Sequence, residues 1–512
     1  MKPHLPLGVL ILLAFALVLI QEKRGAGSPP DSAARIDAAL MAEYDLIQES
    51  RQKSNRTPLP ALPPAADDAT FLRRACVDLA GRLPRAEEAR AFLADSSPGK
   101  RARLTDALVK EPAATEARFQ VLAGLFRVVD DSETVSWLRQ AARDDLPFDQ
   151  VIQHMVGGSY LSRRDAGNPL RSASAVAFAV LGTDLHCALC HDHPFADATQ
   201  HETYEFAACF VPHDKAGPLK IPENYHYSNA KPGEVVSPRL LPLTREKPPA
   251  ISADQDARLQ VADWILHEPS HRFAKVAALR LWSRMFGMPG LWINPALGGV
   301  PEAPPWHHVH PKFYGGRSSN CFGEGSRQRI TWIDTDFHTP DKPSSPVKAL
   351  TDEFLRAGGR IGEFQRILAR TEAYQRASID YNLSWDGSYL APAPHVRRLP
   401  AEVIWSTLSA EKAADLSQIP PVDHPLRVLG RGDREWTDAS STPISHELAR
   451  LMILGGSIHP KSLQTGSAED LFLTLLGRNP SGPELASIAQ NTASSEDIAW
   501  ALLNTKEFMF IP

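Results

Sequence analysis

Apolar residues recur at intervals of three and four along most of this chain, the spacing of helices that bury one face. The stretch from Phe71 to Leu83 is the clearest early case, and Gly81 and Pro84 stop it. The spacing continues over residues 85–95, where Ala86-Glu87-Glu88 puts acids in a first turn, and over 101–110, 116–142 and 147–156. An alanine-rich run, Ala173 to Leu185, and a short helix from His201 to Phe210 follow. Later helices are expected at 253–266, 273–286, 349–356, 361–374, 401–409, 445–454, 468–476 and 483–490. Alternating strand patterns are rare. The expected fold is mainly α, with two helical domains joined by long proline-rich irregular connections.

The 43 prolines sit largely in those connections. Residues 33–52 read as a helix, and Thr57-Pro58-Leu59-Pro60-Ala61-Leu62-Pro63-Pro64 as extended chain, so residues 28–66 read as a tether. A first domain is expected over 67–215, a linker over 216–250, and a second helical domain over 251–512 carrying an insert at 301–346. Before the tether, residues 1–27 read as a signal peptide or membrane anchor. Residues 5–20 (LPLGVLILLAFALVLI) are apolar and followed by Gln21-Glu22-Lys23-Arg24. Sixteen apolar residues fall short of the ~20 that span a bilayer comfortably. Lys23 and Arg24 stand where a cleavage site is usually neutral, so an uncleaved anchor and a removed peptide both stay open. Either one puts the body in the cell envelope or periplasm.

Composition narrows the classes. A net charge of -5 with no basic stripe argues against nucleic-acid binding. Five cysteines form no disulfide framework. Cys76 and Cys209 sit in apolar helical patterns and read as small core residues, and Cys321 lies in a glycine-bearing loop.

The chemistry concentrates in Leu185-His186-Cys187-Ala188-Leu189-Cys190-His191-Asp192-His193-Pro194-Phe195. Cys187-x-x-Cys190-His191 is the spacing that attaches a c-type haem. Two thiols on one helical turn reach the two vinyl groups of a porphyrin, and the next residue offers an imidazole to the iron. With these Cys and His frequencies about 0.002 chance matches are expected, so coincidence is a poor explanation. Three readings compete. Haem c would bind through Cys187, Cys190 and His191. A zinc-type metal site would use Cys187, Cys190, His191 and His193, although no second Cys-x-x-Cys or His-x-x-x-His completes it. A simple disulfide or free-thiol turn needs no ligand. For haem, His193, His201, His213, His154 and Met155 are candidates for the opposite face of the iron.

Two other clusters read as ordinary surface. His308 and His310, and Asp334, Asp336 and His338, are spaced two apart in the insert and could line up in extended chain, but loop histidines and half-buried strands explain them as well. The loop from Gly430 to Glu435 is too poor in glycine for a phosphate cradle, and ion pairing suits Arg431, Asp433 and Arg434 better. No Gly-x-Ser-x-Gly elbow, His-Glu-x-x-His helix or internal repeat is present.

The motifs carry a family resemblance. Phe71-Leu72-Arg73-Arg74, Asp78-Leu79, Gly81 and Pro84, then Leu146 to Gln150, then the Cys187 to Phe195 signature with Thr199-Gln200, Tyr204, Ala207-Ala208 and Phe210, resemble bacterial domain of unknown function 1549, a planctomycete cytochrome-type domain. The second half resembles domain of unknown function 1553 through Phe273-Ala274, Arg280-Leu281-Trp282, Phe286-Gly287, Glu353-Phe354-Leu355, Ala373-Tyr374-Gln375, Arg398-Leu399, Ala401-Glu402, the 430–435 loop and Leu476-Gly477-Arg478 with Pro480. The chain departs from these patterns near 119–140 and between 294 and 347. The resemblance implies a cell-envelope protein with a cytochrome-like domain and supplies no reaction. The expectation is an exported haem-c protein for electron transfer or oxidoreduction with a redox or envelope protein partner. The alternatives are a zinc-type enzyme or a non-catalytic envelope scaffold.

Overall fold

Helix α1 (Ser32–Lys53) opens the structure, a computed structural model that describes residues 32–55, 57–128, 131–165, 167–183, 185, 187–192, 199–212, 217–242, 247–287, 346–379, 392–408, 424–429, 431 and 466–512. The apolar stretch at 5–20, the histidines and aspartates of the insert, Cys321, His193, His213, the expected helix at 445–454, Asp433 and Arg434 lie outside these residues. Among the described residues no helix is long and apolar enough to cross a membrane.

The fold is mainly helical. Helix α1, in the stretch read as a tether, has Ile36 and Leu40 fully buried, and Arg35 pairs with Glu353 at 2.6 Å. Helix α2 (Asp68–Ala80) is the buried axis. Asp67 caps its start by accepting the Thr70 N–H at 2.7 Å, and every residue from Phe71 to Ala80 is buried. Gly81 ends it at φ +64°, where an added Cβ would stand 3.0 Å from the Ala117 Cβ. Helices α3 (Ala86–Ala94), α4 (Lys100–Leu108) and α5 (Pro112–Leu125) pack around α2.

The helical spacing over 116–142 resolves into two helices. Arg127 adopts φ +53° after α5, and Asp131 then caps α6 (Ser132–Arg143), which folds back onto α5. Next come α7 (Phe148–Gly157), α8 (Tyr160–Arg164) and α9 (Pro169–Val176), then α10 (Gln200–Ala208), α11 (Ala257–His267) and α12 (Arg272–Phe286). After the insert, α13 (Pro346–Arg356), α14 (Ile361–Arg370) and α15 (Glu372–Gln375) return to the first helices. Between α10 and α11 the described residues 217–242 form loops that bury Ile221, Tyr225, Val236, Leu240 and Leu241. One hydrophobic cluster takes residues from both sides of this connection, from Ile36 and Phe71 to Trp282, Phe286, Tyr374 and Leu473.

A second cluster gathers the end of the chain. It comprises α16 (Ala401–Leu408), α17 (Pro425–Val428), α18 (Ala468–Leu475), α20 (Ser495–Leu503) and α21 (Lys506–Met509), packed on Val77 and Leu83. Helix α19 (Gly482–Gln490) lies on the surface. Ser467, Ser481 and Ser494 each cap a helix with an acid three residues on, the capping-box arrangement. Strand β1 (Arg397–Arg398) pairs antiparallel with β2 (Phe510–Ile511).

The buried arginines explain how the two ends hold together. Arg73 donates to the Phe508 and Phe510 carbonyls at 2.7 and 2.5 Å. Arg74 donates to the carbonyls of Tyr374, Arg376 (2.9 Å) and Pro512 (2.8 Å). Burial pulls both guanidinium pKa values down to about 10, which still leaves them charged at neutral pH. Asp78 accepts from the Tyr374 hydroxyl at 2.6 Å and pairs with Arg397 at 2.5 Å. The motif residues of the first half therefore bond motif residues of the second.

Arg478 is only partly buried and pairs with carboxylates instead. It bridges Glu484 at 2.9 Å and Glu507 at 2.5 Å. Its hydrogen bonds hold the Glu484 carboxyl at about 2, below the ordinary 4.5. A carboxylate with a depressed folded pKa stabilises the fold above the unfolded value and ceases to do so as pH falls through the folded one. Glu484→Gln is thus expected to flatten the loss of thermal stability between pH 4.5 and 2, measured by melting curves across that range. An acid limb as steep as that of the wild type would count against the assignment.

Candidate functional site

The Cys-x-x-Cys-His segment is a short connection between two packed helices. Helix α9 continues as a wider π-helical turn, Ala177–Leu181, and stops at Gly182 with φ +62°. Turns of this kind often accompany functional sites. The alanine-rich stretch therefore does not carry one helix into the motif. The chain leaves the helix at Gly182 and forms a separate 3₁₀ turn at Cys187–Leu189. Leu185 and Ala188 are fully buried and pin this turn to the body. Cys190 and His191 are exposed, and Cys190 is a free thiol.

Helix α10 holds the other side. Thr199 caps it and exchanges hydrogen bonds with Glu202. Its first residue, Gln200, donates its backbone N–H to Asp192 Oδ1 at 2.9 Å and its side-chain Nε2 to the Leu189 carbonyl at 3.2 Å. Asp192 uses its N–H, its carbonyl and one carboxylate oxygen. Its carboxylate takes the α10 N–H, its own N–H donates to the Tyr227 hydroxyl at 2.9 Å, and its carbonyl accepts from His191 Nδ1 at 2.7 Å. A carbonyl can only accept, so Nδ1 carries the proton. A neutral His191 in this tautomer keeps its lone pair on Nε2.

A tyrosine cluster backs the turn. Tyr204, Tyr225 and Tyr227 pack with Ile221 and Val236, and the rings of Tyr225 and Tyr227 meet edge to face at 5.3 Å. Burial, and then the nearby Cys190 sulfur, push the Tyr204 phenol up. The Cys and His spacing gave no sign of this wall. The Tyr225-His226-Tyr227 triplet was visible, but the stretch carrying it read as a linker.

The remaining candidates separate clearly. His201 lies on α10, beside Glu205 at 3.8 Å and the Tyr225 ring at 6.5 Å. His154 and Met155 are on α7. His154 stacks on Trp137 with ring centres 3.6 Å apart, and burial lowers its pKa, while Met155 is fully buried in the core. Cys76 is buried with its thiol pushed up by burial, and Cys209 is buried with its thiol pushed up to about 12, as expected of inert core cysteines. Arg431 is buried and bonds Gln120 at 3.2 Å, with Glu402 at 3.7 Å, as expected of a structural ion pair.

Among the described residues no group of three or more His, Cys, Asp or Glu side chains is arranged to hold a metal ion. A cavity of about 770 Å³ opens between α7 and α11, lined by Gln153, Leu241, Ile251, Leu259, Trp264 and His267 among others. None of its lining residues belongs to the Cys-x-x-Cys-His turn, so the chemistry and this cavity are in different places.

Of the donors that a covalently held haem would need, the described side chains are those of Cys190 and His191, and their chemistry suits it. An exposed free thiol and an exposed imidazole stand on one pinned turn, and the imidazole proton is held by a backbone carbonyl, the usual support for a metal-bound histidine.

Residues 46–178 and 163–215 match the family described as PSCyt2, a protein of unknown function (DUF1549). The first part of the chain therefore carries this family's domain, and both cysteines and His191 fall inside the matched stretch. No curated protein and no solved structure matches the chain.

Proposed function

We propose that this is an exported cell-envelope protein that carries a c-type haem on Cys187 and Cys190 with His191 as an axial ligand. Its role would be electron transfer or oxidoreduction. The observation that carries the reading is the His191 ring, exposed beside the free Cys190 thiol with Nδ1–H donated to the Asp192 carbonyl. When bound, the haem would supply one-electron chemistry. The residues of this chain would do the rest. Cys187 and Cys190 would provide the thioether sulfurs, and His191 would present Nε2. Leu185 and Ala188 keep the turn fixed to the body, and α10 closes it. His201 would be a candidate for a second iron ligand, since it lies on α10, which contacts the turn.

The apolar stretch at 5–20 fits this reading by delivering or anchoring the body outside the cytoplasm, where a redox or envelope protein partner would be met. The second half would be a domain of unknown function 1553. The interlocking of Arg74 and Asp78 with Tyr374 supports that pairing of domains.

A haem-stained denaturing gel of envelope-expressed protein tests the proposal. The full-length band is expected to stain, and Cys187→Ala is expected to abolish the stain while leaving the protein folded. A folded wild type that does not stain would falsify it, and zinc without iron by elemental analysis would favour the zinc-type enzyme instead.

A further inference from the structure

We infer that Asp192 and Tyr227 form a positioning device that orients the His191 ring and sets the reduction potential of the iron it would hold. The inference rests on haem attachment at Cys187 and Cys190.

Three hydrogen bonds carry it. The Asp192 carbonyl accepts from His191 Nδ1 at 2.7 Å, so the direction of that carbonyl fixes the rotation of the ring. The preceding peptide, between His191 and Asp192, is held separately, where the Asp192 N–H donates to the Tyr227 hydroxyl at 2.9 Å, so the backbone is tied on both sides of the Asp192 Cα. The Asp192 carboxylate is tied by Oδ1 to the Gln200 N–H at 2.9 Å, at the first turn of α10. One residue therefore connects the axial imidazole to a helix start and to the tyrosine wall, and none of its three polar groups can turn without breaking a bond. Tyr227 is braced against Tyr225, whose hydroxyl donates to Asn229 at 2.5 Å.

The electrostatic consequence follows from charge. Oxidised iron carries one more positive charge than reduced iron. A carboxylate held in the turn next to the ligand favours the oxidised form, and so lowers the potential. A proton on Nδ1 held by a carbonyl makes the imidazole a stronger donor and acts in the same direction. Asp192 is thus a positioning and tuning residue. Nothing in the geometry makes it touch a reacting atom.

The test uses the full chain with haem attached. Asp192→Asn keeps an oxygen that can accept the Gln200 N–H but removes the charge. It is expected to stain for haem like the wild type and to titrate at a more positive midpoint potential. Tyr227→Phe removes the acceptor of the Asp192 N–H. It is expected to keep the haem and to shift the g values of the oxidised iron, which report the orientation of the axial imidazole. Asp254→Asn, which removes an exposed carboxylate that is bonded to Ser252 in another loop, is expected to leave both readings unchanged. An unchanged potential in Asp192→Asn, or an equal shift in Asp254→Asn, overturns the inference while haem attachment stands. A wild type without haem removes the haem reading and this inference together, and the stain of the unmutated protein identifies that case.

Discussion

Asp78→Ala is expected to lower the free energy of unfolding by about 3–5 kcal/mol, the range seen when one member of a buried ion pair is removed. Asp78 is only 3 % exposed, and its carboxylate receives both the Tyr374 hydroxyl and the Arg397 guanidinium. Alanine would leave that guanidinium without its counterion and a phenol donor in the core without its acceptor. Burial, with the Asp78 charge next, holds the Tyr374 phenol well above its usual pKa, so it stays protonated and keeps donating across the accessible pH range. The cost should therefore be nearly independent of phenol titration. Urea denaturation of wild type and variant reads the difference. Asp78→Asn, which keeps the volume and one acceptor oxygen, should cost clearly less. A loss below about 1 kcal/mol for the alanine variant, the usual value of an exposed pair, would sink the account.

Trp282→Ala should cost a similar amount by a different mechanism. Trp282 is fully buried and stacks on Phe286 with ring centres 3.5 Å apart, and Phe286 in turn meets Tyr374 edge-on at 5.8 Å. Truncating so large a side chain leaves a hollow that rigid neighbours cannot fill, and such changes cost about 3–5 kcal/mol. The indole N–H finds no acceptor among the described residues. Trp282→Phe therefore removes an unpaired polar group along with one ring, and the relief, about 1–3 kcal/mol for a buried unpaired group, offsets part of the lost packing. The phenylalanine variant is expected to unfold within about 1–2 kcal/mol of the wild type. Equal losses in the two variants would mean that the N–H has a partner or that the core collapses around the hollow.

Much of the fold was legible because helical periodicity survives translation into structure. The helices expected from Phe71, from Phe273 and from Ala468 appear at Asp68–Ala80, Arg272–Phe286 and Ala468–Leu475. The break at Arg127 was not legible, since a positive φ at arginine has no sequence signal as strong as glycine gives. Helix α20 was missed although Ser494 and Asp497 spell its capping box. At the site, the spacing pointed to the turn that bears Cys190 and His191, and it could not reveal what supports that turn. Tyr227 lies thirty-five residues from Asp192, and only the path of the proline-rich loop brings the two together. The same limit applied to Arg73 and Arg74, whose partners are carbonyls, and any residue can supply a carbonyl.

Those two arginines have a consequence for how the chain comes to be folded. Arg73 reaches a carbonyl 435 positions away. A ribosome working at about 5–20 residues per second takes roughly 20–90 seconds to cover that distance. Until then Arg73 lacks both of its carbonyl acceptors, while Arg74 meets those of Tyr374 and Arg376 earlier and that of Pro512 last, and contacts so remote in sequence are also slow to form once available. The buried axis of the first third of the molecule is thereby completed only by the last residues of the chain to be made.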